Sequence, residues 1–509
     1  MAETLFIQHA PWETRVAVFG DGRVLEFEVE RTSGRSLSGN IYRGRIDRVV
    51  PSMDSAFVDL GLEKMAILSA ADVWTPGQRD DSLDEEGQVR GAPPNRNSRR
   101  PIGALLHAGQ EVMVQVVREP VAKKGPRATM MISFPGRNLV YLPQQEHIGV
   151  SRMIADPAER RRLQEAVATH LEPGAGAIVR TIGEGATDEE LADDLRFLRE
   201  QWRDVCSRYD HASAPSFLFT DLDLMLRALR DLVGPQTEEI WIDDSEEQDR
   251  IETFLQRFHP GIRPQVRLHE GPTELFAAHG LDRWVKEAIS PTVALKSGGQ
   301  LVLQRTEGMT VIDVNSSRQV GQGRLDNALL KLNLEAAREI ALQLRLRNIG
   351  GLIVVDFVDM PRLEDRRMLA AVFEMELGID RTRVRMGRLS PFGVVELTRK
   401  RVRESVYERL TETCPTCAGQ GYVRSASDLA IETISRLRRA LHASESRGMN
   451  WRVQVPARVA AILKGQLAGV IADLAESAGV RIEVVAAAAP PSGNADVRLI
   501  ADQVDGRAD

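Results

Sequence analysis

Cysteine is nearly absent from this 509-residue chain: Cys206, Cys414 and Cys417 are the only three. So few thiols in so long a chain exclude a disulfide scaffold and fit a reducing cytoplasm. Aromatics are also scarce, at 5%, so any surface that stacks on rings or bases must be small. There is no excess of positive charge, since 66 basic residues face 73 acidic ones. That removes the signature of an overall basic nucleic-acid binder, although a local basic surface suffices for binding. No apolar run approaches 18 residues, which excludes a membrane-spanning helix. The start, MAETLFIQHAPWETR, lacks a basic stretch followed by an apolar one, so no signal peptide is expected.

What remains is the composition of a globular protein, 43% apolar and 27% charged, with length for about three compact units. Residues 4–31 read as short strands turning at Gly20-Asp21-Gly22. From Leu37, the segments GNIYRGRIDRVV, SAFVDLGL, MAILS and EVMVQVVREP predict a small all-β barrel, with the OB-fold as the natural candidate. Between 75 and 100 the chain is rich in charge, Pro, Gly and Asn, which predicts a disordered insert. Helical periodicity marks 156–172, 187–210, 221–233 and 245–258. Two strands in QLVLQRTEGMTVIDVNSS precede a helix over about 324–347. Leu325, Leu329, Leu332, Ala336, Ile340 and Leu344 form its apolar stripe. Gly350-Gly351 stops it, and LIVVDFVDM is expected to be a buried strand of an α/β layer. The last 80 residues read as a separate small α/β unit.

Three patterns point to chemistry. Asp313 and Asn315 stand two apart on a strand and so share a face. Asp356 ends a strand, where open α/β sheets place ligand sites. Two carboxylates and an amide suit a hydrated magnesium ion, which polarises a phosphodiester and acidifies bound water. Such residues also serve as turn-makers at strand ends. Asp359 would face the other way if the strand continued. Second, CPTCAGQG offers Cys414 and Cys417 as half of a zinc knuckle. A structural zinc takes four ligands, so a second copy of the chain is expected to supply the other two; a redox dithiol is the alternative. Cys206, in an amphipathic helix, reads as a core cysteine. Third, basic residues recur: Arg381, Arg383 and Arg385 alternate as on a strand, and Arg399, Lys400, Arg401 and Arg403 follow on an expected helix. Arg43, Arg45, Arg48, Arg118, Lys123, Lys124 and Arg127 lie in the barrel region. Such clusters bind phosphate backbones or form solvated faces. Phe57 is a candidate base-stacking ring or a core residue.

TVIDVNSSR, LNLEAAREIALQLRLRNIGGLIVVDFVDM, SPFGVVELTRKR, CPTCAGQG, NIYRGRIDRVVPSMDSAFVDLG and IVRTIGEG together resemble the ribonuclease E/G family over almost the whole chain. The resemblance implies an RNase H-like domain split between 1–35 and 226–288, an OB-fold at 36–128 and a 5′ sensor at 129–225. A DNase I-like catalytic domain at 289–410, a zinc link at 411–424 and a small dimerisation domain at 425–509 follow. It implies an endoribonuclease that uses Mg2+ to cut single-stranded RNA, mRNA and rRNA precursors among them. Asp313 and Asp356 match the family's magnesium ligands and Asn315 the asparagine that orients them. Arg180, Thr181 and Arg383 match residues that hold a 5′ monophosphate. Cys414 and Cys417 match the pair that shares Zn2+ in a homodimer or homotetramer. Ile67 stands where the family's barrel often has a second aromatic. No long scaffold tail follows the small domain, as in the shorter, G-type members. A non-catalytic RNA-binding or ribosome-assembly factor, and an enzyme acting on DNA, are the rival readings; the intact acidic set argues against the first.

Overall fold

The computed structural model describes residues 2–32, 36–75, 100–119, 125–259, 261–316, 325–401, 403–443, 449–487 and 498–503. Positions 76–99 of the expected insert, and Lys123 and Lys124, lie outside the described residues. The chain forms two compact units, residues 1–409 and 410–509.

In the first unit, strands Glu3–Ala10, Glu13–Gly20 and Arg23–Arg31 join Thr237–Ile242 and Gln265–Leu268 in one five-stranded sheet. The hairpin between Gly20 and Arg23 turns on Asp21 and Gly22, both at positive φ, the backbone that matches the right-handed twist of a two-residue hairpin. Helices Leu224–Leu232 and Ser245–Phe258 cover this sheet with Leu229, Ile251 and Phe254.

Strands Ile41–Val50, Ser55–Asp59, Ala66–Ser69, Arg127–Thr129 and Glu111–Arg118 pair in a ring, because the first and last also pair with each other. The ring encloses Ile46, Val58, Leu68, Val114 and Val116. Gly44 makes room at its centre: a Cβ there would lie 2.7 Å from both Val58 and Leu60. A four-stranded sheet, with helices Pro157–His170 and Asp188–His211 packed on it, follows at residues 134–211. Thr187 and Glu190 close a reciprocal capping box on the second helix.

The layer that carries the acidic residues is six-stranded. Its order is Thr292–Ala294, Gln300–Arg305, Met309–Asn315, Gly351–Asp356, Val394–Arg399, Val384–Met386. The predicted long helix spans Leu325–Leu346. Leu332, Ala336, Ile340 and Leu344 of its stripe enter the core beside Ile312, Ile353 and Val355. Leu329 is only partly buried. Asn348, in the left-handed region at φ +49°, ends this segment, and Gly351 at φ +101° opens the next strand. That strand is not buried on both sides as expected. Ile353 and Val355 are buried while Leu352 and Asp356 are exposed, because helices Leu325–Leu346 and Leu363–Leu377 add their side chains to one face only.

In the second unit, strands Arg481–Ala487, Met449–Pro456 and Arg498–Gln503 form a sheet in that order. Helices Ala426–Ala443, Ala457–Lys464 and Ala468–Ala478 complete it around Leu437, Val453 and Leu463. Between 457 and 478 the chain makes two helices, interrupted at Gly465.

Candidate functional site

Strands Met309–Asn315 and Gly351–Asp356 run parallel, in a register that sets Asp313 beside Asp356. Both lie on the face opposite the buried Ile312, Val314, Ile353 and Val355. Period-two geometry puts Asn315 on the same face, and its amide nitrogen donates to Asp313 Oδ2 at 2.8 Å. The strand stops at Asp356, so strand parity no longer governs Asp359, and its charge joins the group. Burial, then the neighbouring carboxylates of Asp313 and Asp359, pushes the Asp356 carboxyl above its ordinary range. Like charges held together in this way are what a divalent cation relieves, although among the described residues no three metal-binding side chains close on one point.

Asn333 positions this group, and the sequence reading passed over it. It is fully buried on the long helix, donates through Nδ2 to Val358 O at 2.7 Å and accepts from Val358 N at 3.1 Å. That two-point hook fixes the segment between Asp356 and Asp359. A polar residue next to Leu332 on an apolar stripe was the available signal.

Arg180 follows the strand Gly176–Val179. Its Nη1 donates to Gly136 O at 2.8 Å and to Asp231 Oδ1 at 2.9 Å. Burial alone would raise the Asp231 carboxyl; the guanidiniums of Arg230 and Arg180 instead hold it far below the carboxylate range. Thr181 shares a 2.8 Å hydroxyl contact with Ser151. Arg381 donates to the Asp231 carbonyl, so Asp231 ties the Arg180 segment to the chain that leads to Arg383. Arg383 is exposed, one residue ahead of the strand Val384–Met386.

On the barrel, Phe57 is partly exposed, and Arg48 stacks over its ring at 4.6 Å. Ile67 is its direct cross-strand neighbour. Arg118 is exposed at a strand end. Four other basic residues of the sequence clusters are held in ion pairs. Arg43 and Arg45 both bind Glu111, and Arg127 pairs with Asp72 at 2.8 Å. Arg399 closes a strand instead of opening a helix, and it is buried against Asp380 at 2.8 Å. Sequence alternation cannot distinguish such an internal ion pair from a phosphate-binding one.

Cys414 and Cys417 lie on a turn in which Ala418 N donates to Cys414 O at 2.8 Å and Gly421 N to Cys417 Sγ at 3.4 Å. Ala418, Gly419 and Gly421 are all at positive φ. Hydrogen bonds from the backbone of Cys417 and Thr416 lower the Cys414 thiol below its ordinary range, as a thiolate ligand needs. Among the described residues no third metal-binding side chain is grouped with these two thiols. Cys206 is half-buried on its helix, and burial pushes its thiol up.

Known proteins share this sequence at length. Residues 133–402, more than half the chain, match the Ribonuclease E/G family, and 413–498 match the thioredoxin-like domain of RNase E/G. Ribonuclease G of Salmonella typhimurium is 36% identical over 95% of this chain and 97% of its own. Ribonuclease G of Haemophilus influenzae is 37% identical over 87% and 88%. Ribonuclease E of a Nostoc species is 36% identical over 80% of this chain and 57% of its own. With these matches and the acidic group on its central sheet, the chain belongs to the ribonuclease E/G family.

Proposed function

We propose that this protein is a magnesium-dependent endoribonuclease that cuts single-stranded RNA, prefers a 5′ monophosphate, and acts in rRNA processing and mRNA decay. The observation that carries this reading is the pairing of Asp313 with Asp356 on an open sheet face, with Asn315 bonded to the first and Asp359 near the second. Asp313 and Asp356 would hold magnesium, which would supply Lewis-acid polarisation of the phosphodiester and an acidified water. Asn315 holds the Asp313 carboxylate in one orientation. The hook from Asn333 keeps the following segment, and with it Asp359, in place.

The other parts of the proposal have their own supports. The closed five-strand ring, with Phe57 and Arg48 on it, supports the OB-fold reading and would track a single strand by stacking and phosphate contact. Residues 3–31 and 237–268 would be the split RNase H-like part, and the six-stranded layer the DNase I-like part. Arg180, Thr181 and Arg383 would receive the 5′ phosphate. Two thiols per chain imply a zinc shared between copies, hence a homodimer or homotetramer. No described helix is long and apolar enough to cross a membrane.

The test is cleavage of a single-stranded RNA of defined 5′ end, with and without magnesium. Products should carry a 5′ phosphate and a 3′ hydroxyl. Asp313→Ala or Asp356→Ala should remove most activity while RNA binding persists. A 2′,3′-cyclic phosphate product would exclude this mechanism, and wild-type binding without cleavage would favour a non-catalytic RNA-binding role.

A further inference from the structure

One phenylalanine stands almost wholly in solvent. Phe392 is 78% exposed, more than any other large apolar side chain among the described residues. A ring left in water forfeits the stabilisation its burial would bring, and in a chain with few aromatics it is conspicuous. The ring does not sit on a loosely held loop. It belongs to the turn Ser390–Gly393, in which Gly393 N donates to Ser390 O at 3.2 Å. Ser390 Oγ accepts from the amides of Phe392 at 3.3 Å and Val394 at 3.1 Å. Arg366 donates to Pro391 O at 3.4 Å. Gly393 has φ +78°, and a Cβ there would lie 2.7 Å from Phe357 O and 3.7 Å from Asp359 Oδ1. Only glycine lets the turn lie this close to the strand end.

That strand end carries the acidic group. Phe357 N donates to Gly393 O at 3.1 Å, and Val394 is the cross-strand neighbour of Asp356. Phe392 is therefore two residues from the partner of Asp356, on a turn braced against the segment of Asp359. Carboxylates with their cation address a phosphate, whereas an exposed ring addresses the flat face of a base. We propose that Phe392 stacks on a nucleobase flanking the scissile phosphate and holds the strand in register with Asp313 and Asp356. This inference rests on the RNA-cleaving reading above and adds to it a residue that positions the substrate.

The experiment measures kcat/KM on a single-stranded RNA with one cleavage site and on a series in which each flanking nucleotide in turn is made abasic. Wild type should lose about 5- to 150-fold at one abasic position, the range expected for one base–aromatic stack. Phe392→Ala should lose a similar factor on the intact RNA and nothing further at that position. Phe392→Trp should restore both behaviours, whereas Phe392→Leu, apolar but not planar, should not. Tm should be unchanged in all three variants, because the side chain is exposed. Wild-type rates in Phe392→Ala or Phe392→Leu would overturn the proposal while leaving the nuclease reading intact. So would an equal loss on every RNA, or a shift to smaller species in sedimentation, which would assign the ring to a protein contact. A wild type that cuts none of these RNAs would overturn the nuclease reading and this proposal together.

Discussion

At Arg180 a single guanidinium faces a structural and a proposed binding demand. It neutralises Asp231 and caps Gly136 O, and it is the proposed fork for a 5′ monophosphate. Losing one charge-assisted contact costs about 1.5–3 kcal/mol, or roughly ten- to a hundred-fold in rate if fully expressed in the transition state. Arg180→Ala should therefore erase the preference for 5′-monophosphorylated over 5′-hydroxyl RNA and leave slow cleavage of the latter nearly unchanged. Tm should fall as well, since Asp231 loses a partner. An equal rate loss on both RNAs would assign Arg180 to folding alone. The acidic group gives a second residue-level prediction. Asp356 holds its proton longer folded than unfolded, because burial and then Asp313 and Asp359 raise its carboxyl. Folding stability from this group therefore falls as pH rises through that raised range. Asp356→Asn should abolish cleavage yet raise folding stability at neutral pH in chelator, by less than about 1 kcal/mol because solvent screens the site, with a correspondingly higher Tm. Magnesium should raise the Tm of wild type and not of the variant. A variant less stable than wild type in chelator would contradict the repulsion described here.

Beyond its apolar packing on the strand Gly351–Asp356, the long helix Leu325–Leu346 uses one buried polar side chain to hold the segment that follows the strand. Asn333 satisfies both backbone groups of Val358. Truncating it leaves a buried N–H and C=O unpaired, at about 1–3 kcal/mol each. Asn333→Ala should thus lower stability by roughly 2–6 kcal/mol in urea denaturation, with kcat reduced in conditions where the protein is fully folded. A destabilised variant with wild-type kcat would show that the hook serves the core and not the site. The apolar stripe of this helix was legible because its 3.6-residue period does not depend on context. The hook was not, because an asparagine on such a stripe can equally face solvent at a helix edge. The strand that follows shows the same limit: LIVVD reads as buried on both faces, and only the placement of the helices on one face exposes Asp356.

For the whole molecule, the thiol pair predicts assembly. Each chain presents two cysteines on a turn, with no third metal-binding side chain grouped with them among the described residues. Cys414→Ser or Cys417→Ser should lower bound zinc below about one ion per two chains, the ratio that a four-ligand site shared by two copies requires. Both variants should sediment as smaller species. Loss of zinc with an unchanged oligomer would show that other surfaces hold the copies together.

Local rules were enough for much of this protein. Helix periods, the Gly20–Arg23 hairpin, the spacing of Asp313 from Asn315 and the Cys-x-x-Cys turn depend on neighbours a few residues away, so the sequence by itself determined them. Tertiary structure alone decided which charges are free to act. Arg399 and Arg385 read alike in sequence, yet one is locked against Asp380 and the other is exposed. Asp359 joins Asp356 only because the strand ends between them, and Phe392 comes beside them only through the pairing of a distant strand. Each of these depends on contacts between residues tens of positions apart, where the energy of an ion pair or a hydrogen bond is set by burial and partners that no local pattern encodes.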